Sequence, residues 1–421
     1  MKRRRRRVKK YIKLLILILL IFIILFIIFK LVSKPKEPEK ILMLDVTNKE
    51  IKEVNKELEQ YNLDIEIEYK YDNNIEKDHV ISQSIDKDKE IKENDKLTLV
   101  VSLGKIDKEK LKNDGINELG KVPVMMYHGI IDKKNSETPY TGGNVDKDGY
   151  SRTVEAFRND LEFYYEKGYR MIKLTDYITG NIDTEYGKSP IVLTFDDGNA
   201  NNIKVTGLDE NGNIIIDPNS AVGVLEEFKK KYPDFNVTAI FFIHSGLFQQ
   251  PEYNEKIMKW LVDNGYEVGN HTLGHNNLKN TSTEETQKVV GGMYQKLEEI
   301  LGDKYSKIIA LPYGNPTSNM HPNYPYVVSG EYNGFKYETL GAMRVGWEPE
   351  VSSYNKDFNP LYIKRCRAYD NNGVEFDIEM VFKMLDKTRY ISDGNANTIV
   401  TNNVNHDIIK TDTQKELILY E

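Results

Sequence analysis

One cysteine, Cys366, serves a chain of 421 residues. A lone thiol excludes an intrachain disulfide framework, and with no activating base identifiable from the sequence it reads as half-buried and not as a nucleophile. Positive charge is scarce over most of the chain. Nine of the 58 Lys and Arg fall within residues 2–13, leaving 49 basic against 65 acidic residues in the remainder. Such a body lacks the broad basic face that nucleic acid requires. The stretch Leu31-Val32-Ser33-Lys34-Pro35 has no A-x-A cleavage pattern, and no cysteine follows the apolar start to carry a lipid. Also missing is a pair of carboxylates facing each other across a bond, which glycoside hydrolysis uses at a separation of about 5–9 Å. The adjacent Asp196 and Asp197 do not supply it.

What the start of the chain does have is a basic tail followed by Leu14–Phe29, which holds no charged or polar residue. With Lys30 snorkelling, the apolar span reaches Val32, enough for a short membrane helix. The reading is an uncleaved single-pass anchor over 14–33 in the cell membrane, with the basic tail 1–13 in the cytoplasm and everything beyond outside. Residues 34–40, rich in Lys, Glu and Pro, read as a linker.

A small α+β domain is expected over 41–105. Ile51, Val54 and Leu58 recur at helical spacing. Leu63 to Tyr71 alternates like a half-buried strand, and Val80–Ser84 and Lys96–Ser102 are two more strands around a polar turn, Asp86–Asp95. This unit resembles a PASTA domain, on Val80-Ile81-Ser82-Gln83-Ser84 and on Leu97 to Gly104. The resemblance implies a cell-wall location and peptidoglycan as a partner. Residues 106–121 read as a second linker or a short helix.

From Val122 to the C-terminus, strand and helix patterns alternate, which predicts a parallel sheet or a distorted (β/α) barrel over 122–421. Functional residues of such folds collect at the carboxyl ends of strands. Two short segments stand there. Thr194-Phe195-Asp196-Asp197-Gly198 ends the apolar run Ile191–Leu193, and His271-Thr272-Leu273-Gly274-His275 follows Tyr266–Asn270. One Asp and two His make a three-ligand metal site with open positions, and leave the second Asp free to act as a base. For adjacent Asp side chains to converge, the chain must turn at Gly198. The insertion Asn199–Asn219 carries an Asn-Gly hairpin signal. Asn315–Asn359 is poorly periodic, and Trp347 and most of the 27 tyrosines read as packing residues.

Together with Leu311-Pro312-Tyr313-Gly314, these motifs resemble the polysaccharide deacetylases of carbohydrate-esterase family four. The resemblance implies that Asp197, His271 and His275 hold a divalent metal, zinc or else cobalt. It implies that Asp196 is the general base and that the backbone N–H of Tyr313 is an oxyanion donor. A histidine would protonate the leaving amine: His128, after Val122–Tyr127, is preferred to His406 in Val404–Asp407. The family commonly has Arg where Ala310 stands; Arg365 could substitute for it, but a plain surface ion pair is the preferred reading for that residue. The implied reaction is N-deacetylation of N-acetylglucosamine in peptidoglycan, with an extracellular poly-N-acetylglucosamine as the alternative substrate and an inactive wall-binding protein as the alternative class.

Overall fold

The structure, a computed structural model, describes residues 15–26, 40–346, 348–370, 372, 377–411 and 413–421. Of the expected anchor, residues 15–26 form a helix with exposed apolar side chains. The rest of the 14–33 span, the basic tail, most of the 34–40 linker and Trp347 lie outside the described residues. Among the described residues no helix is long and apolar enough to cross a membrane.

Two compact units are present among the described residues: those up to 68 with 77–102, and those of 69–76 with those from 103 onward. In the smaller one, the helix Ile51–Leu58 turns Val54 and Leu58 onto Val80, Leu97, Leu99 and Val101, all fully buried. The strand Lys96–Ser102 is central, between Asp64–Lys70 and Val80–Gln83. The Gln83 side chain accepts from Val46 N–H and donates to the Leu44 and Ile85 carbonyls, stitching the first loop to the sheet. Within the turn predicted at Asp86–Asp95, Glu90–Ile91 pairs antiparallel with Ile41–Leu42.

The larger unit is built on eight strands: β1 Val124–Tyr127, β2 Tyr169–Met171, β3 Ser189–Phe195, β4 Ile240–Ile243, β5 Glu267–Asn270, β6 Ile308–Ala310, β7 Gly341–Met343 and β8 Cys366–Arg367. All pairings among them are parallel, in the order β7-β6-β5-β4-β3-β1-β8, with β2 joined to the start of β3. A further parallel bridge, Met343 to Ile363, brings the segment before β8 back against β7, so the sheet curls on itself. The strands are apolar on both faces, as buried parallel strands are. On β3, Ile191, Leu193 and Phe195 join the core beneath the helices, whereas Val192 joins Val124, Ile240, Phe242, Ile308, Ala310 and Met343 on the inner face.

The outer helices obey their sequence signals. Ser220 caps Ala221–Lys231 by accepting from Gly223 N–H, and Ser282 caps Thr283–Leu301 by accepting from Glu285 N–H. Val290, Met293, Tyr294 and Leu297 of the latter form one buried stripe.

Several expectations need correction. Of the two readings of residues 106–121, the short helix holds and the linker does not: Lys108–Asn113 is a helix, and Leu111, Ile116 and Leu119 are buried in the larger unit. The aperiodic 315–359 region supplies β7, a helix Tyr324–Val328 and a hairpin, Ser329–Tyr332 with Phe335–Glu338. β7 is only three residues long and opens on glycine, too little for a periodic signal. Cys366 is fully buried, and burial raises its thiol well above the ordinary range, so it is inert as read.

Candidate active site

Asp196 continues the inner-face register of Val192 and Thr194, one step beyond β3, and its N–H is held by the Tyr127 carbonyl. The chain then reverses at Asp197 itself, whose φ is 75°, and again at Gly198, with φ 59°. The turn expected at Gly198 thus begins one residue earlier, at a residue with a Cβ. Gly198 is required all the same, because a Cβ there would sit 2.2 Å from the Leu247 carbonyl oxygen. The left-handed turn at Asp197 swings its carboxylate toward the histidine loop. There Asn270 takes the Thr272 N–H on its side-chain oxygen and donates to the Val290 carbonyl, fixing the start of His271–His275. Thr272, His275 and Tyr313 also have positive φ, at 64°, 54° and 58°. Strain of this kind persists only where the surroundings impose it.

The result is a tight triad. Asp197 Oδ1 lies 3.3 Å from His271 Nε2 and 3.4 Å from His275 Nε2. The three residues offer ligand atoms within 4.8 Å of one another. His271 Nδ1 lies 2.8 Å from the Ala310 carbonyl, which can only accept, so Nδ1 carries a proton and in the neutral ring Nε2 presents its lone pair. A lone pair facing a carboxylate oxygen is repulsive unless a cation stands between them. Both Asp197 Oδ1 and His271 Nε2 are buried without a hydrogen-bond partner. The donor set, two imidazoles and one carboxylate, suits zinc and its neighbours. These residues fit a divalent metal.

Beside the triad, Arg365 reaches in from the segment before β8. Its two terminal nitrogens each lie 2.7 Å from one oxygen of Asp196, and its Nε donates to the Arg344 carbonyl. The expectation of a surface ion pair is wrong: the Arg365 side chain is fully buried, and Asp196 nearly so. Ala310, where the family Arg was expected, is an inner-face core residue. Burial by itself would raise the Asp196 carboxyl, but the Arg365 charge and hydrogen bonds outweigh it and hold the group well below the usual carboxylate range. Asp196 is therefore ionised at neutral pH.

His128 stands just past β1, with Nε2 3.9 Å from Asp196 Oδ2 and Nδ1 buried without a partner. Burial lowers its basicity, against the pull of Asp196 and Asp197. The Tyr150 ring meets it edge-on at 4.9 Å. His406 is elsewhere: it lies in Asn403–Ile408, beyond a separate two-stranded sheet of Thr398–Asn402 and Glu416–Tyr420, and is exposed beside Asp407. Tyr313 follows β6; the residue is 62% exposed, and its ring lies 4.8 Å from the His275 ring. A pocket of about 320 Å³ joins these groups and is lined also by Tyr150, Asn199, Leu311 and Val345.

Sequence reasoning missed Tyr150 and gave Arg365 the lesser of its two readings. Tyr150 carries no motif. Arg365 had one usable signal, the empty place at Ala310, because a buried carboxylate such as Asp196 needs a counter-charge from somewhere in the fold.

Fold and site together define a parallel α/β domain with two Asp and two His gathered at its strand ends. Residues 183–324 match the family described as Polysaccharide deacetylase, and residues 41–103 match the PASTA domain. The chain carries a polysaccharide deacetylase domain and a PASTA domain. Both His128 and Arg365 lie outside the matched bounds. Among solved structures, the Streptococcus pyogenes deacetylase PplD in complex with acetate is similar over 62% of this chain and 97% of its own, with 18% identity and a TM-score of 0.43. A de-N-acetylase from Aggregatibacter actinomycetemcomitans is similar over 63% of this chain and 99% of its own, with 14% identity and a TM-score of 0.40. The Bacillus subtilis peptidoglycan deacetylase PdaC is similar over 34% of this chain and 56% of its own, with 23% identity and a TM-score of 0.23. Comparison with curated proteins finds no match.

Proposed function

We propose that this chain is a metal-dependent N-deacetylase of N-acetylglucosamine residues in peptidoglycan, releasing acetate and leaving a free amine on the glycan. The observation that carries this reading is the meeting, around one pocket, of the Asp197–His271–His275 triad with an ionised, Arg-braced Asp196 and with His128.

Asp197, His271 and His275 would hold the metal, zinc by preference with cobalt as a substitute. When bound, a divalent metal polarises an amide carbonyl and lowers the pKa of water. The chain's own groups do the rest. Asp196 accepts the proton of the attacking water; its fixed orientation comes from the two-point grip of Arg365. The backbone N–H of Tyr313 donates to the developing oxyanion. His128, on the same side of the pocket as Asp196, gives a proton to the departing amine. Tyr313 on the rim, an exposed residue, offers its ring to sugar.

Peptidoglycan is favoured as substrate because a PASTA domain accompanies the catalytic one. The apolar run Leu14–Phe29 behind nine basic residues supports a single-pass anchor, with the N-terminus cytoplasmic and the catalytic unit outside. The test is acetate release by the purified chain from peptidoglycan and from poly-N-acetylglucosamine, with and without a chelator. Release from the second polymer alone would shift the substrate to the exopolysaccharide. Release from neither, with metal restored, would favour an inactive wall-binding protein.

A further inference from the structure

Arg367 ends β8, two residues beyond Arg365 on the same face of the strand and therefore one step nearer the mouth of the barrel. Its guanidinium lies 5.1 Å from the Tyr369 ring centroid and 5.5 Å from that of Tyr150. One nitrogen donates to the Asp148 carbonyl. Among the described residues no carboxylate pairs with it; Arg152, Arg158, Arg170 and Arg365 each have one, whereas Arg344 and Arg389 likewise have none. In a body with 65 acidic residues, an unneutralised Arg at the rim of the site is not forced by composition. A guanidinium carries five N–H donors in a fixed fork, and here most of them are left for a ligand.

The surroundings are built to hold this arrangement. Asp146 accepts N–H groups from Asp148, Tyr150 and Ser151, which fixes the loop that carries Tyr150. Gly149, with φ 64°, lets that loop lie on Tyr369, where a Cβ would come within 2.2 Å of the ring. Asn144 ties the loop to the segment after β8 by donating to the Asp370 carbonyl and accepting its N–H. Tyr150 in turn lines the pocket beside His128.

We propose that Arg367, set between Tyr150 and Tyr369, is a specificity-determining subsite for an anionic substituent on the sugar next to the one whose amide enters the pocket. This rests on the deacetylase reading and narrows its substrate to an acidic glycan. Strands of the peptidoglycan type bear carboxylates on alternate sugars or on their peptide stems, whereas poly-N-acetylglucosamine bears none. A phosphate ester on a wall glycan offers the same oxyanion chemistry.

The experiment uses the full, metal-loaded chain and four oligosaccharides of equal length: a muramic-type oligomer with free carboxylates, its methyl ester, a neutral N-acetylglucosamine oligomer, and that oligomer carrying a phosphate. The wild type is expected to show a KM about tenfold lower for the free acid than for the ester, at similar kcat, as loss of a charge-assisted hydrogen bond predicts. Arg367→Gln should erase that difference by raising KM for the acid alone, and Arg367→Lys should keep part of it. Calorimetric binding of the deacetylated acid and ester oligomers provides a readout without turnover. A stronger preference for the phosphate oligomer supports the same subsite and names phosphate as its source. Equal KM for acid and ester, or an equal rise for both in Arg367→Gln, overturns the subsite and leaves the deacetylase reading standing. No acetate from any oligomer, with Arg367-dependent calorimetric preference for the acid, sinks the deacetylase reading alone.

Discussion

Arg365 grips both oxygens of Asp196 at 2.7 Å, across 169 residues of sequence. Removing one partner of a buried ion pair typically costs about 3–5 kcal/mol, because the other charge is left uncompensated. Arg365→Met should therefore lower the unfolding free energy of the catalytic unit by that order. Arg365→Lys keeps the charge and loses the fork. It should stay folded, with kcat down about 10²-fold through misplacement of the base. Denaturant titration and steady-state kinetics on both variants check this; full kcat in Arg365→Lys would remove Arg365 from the positioning role.

The two candidate acids separate cleanly by position. His128→Ala should lower kcat by about 10²–10⁴-fold, the usual worth of a general acid. His406→Ala, at an exposed site away from the pocket, should leave kcat unchanged. The reverse pattern in acetate-release assays would reassign the acid.

Metal binding should be readable without catalysis. Zinc at 100 times its dissociation constant should stabilise the folded chain by about 2.7 kcal/mol, and a chelator should reverse the gain. His271→Ala and Asp197→Ala should bind far less metal by elemental analysis and lose that thermal shift. A triad variant that keeps wild-type metal content would show that the ion is held elsewhere.

Gly198 is hemmed in by the Leu247 carbonyl and adopts φ 59°. Gly198→Ala should destabilise by more than about 1 kcal/mol and displace Asp197 from the histidines. A variant with unchanged stability and metal affinity would refute the close approach.

A pH effect is expected far from the pocket. Glu118 is buried, accepts from Val400 N–H and Tyr390, and faces Asp393. Burial first, and the Asp393 charge second, raise its carboxyl well above 4.5. The folded state thus keeps a proton that the unfolded chain releases near 4.5. The stability it contributes is complete below that pH and declines as pH rises toward the folded value. Unfolding scans from acid to neutral pH should show this decline in the wild type and a flatter curve in Glu118→Gln. Parallel curves would count against a retained proton.

Much of the architecture was legible because its signals are local. The helix Ala221–Lys231 starts from its Ser220 cap, and the strand Glu267–Asn270 falls within the Tyr266–Asn270 stretch that precedes the histidines. The Asp pair and the histidine pair could be read because each is contiguous and ends an apolar strand. Other parts resisted for physical reasons. β7 and β8 are three and two residues long, held by a neighbour on the ring and not by any pattern of their own. The turn at Asp197 was placed one residue late because only glycine advertises positive φ in a sequence. The burial of Arg365 depends on a partner 169 positions away, which no local window contains.

The segment carrying Arg365 also completes the curl of the sheet through the Met343–Ile363 bridge. Order of synthesis then acquires a meaning. As the polypeptide emerges, the strand bearing Asp196 is made long before its counter-charge, so a nascent or truncated product would have to bury that carboxylate alone or leave it in water. Closure of the site therefore arrives late, when the last stave of the barrel docks, and an incompletely made chain has an Asp196 with no Arg365 to brace it.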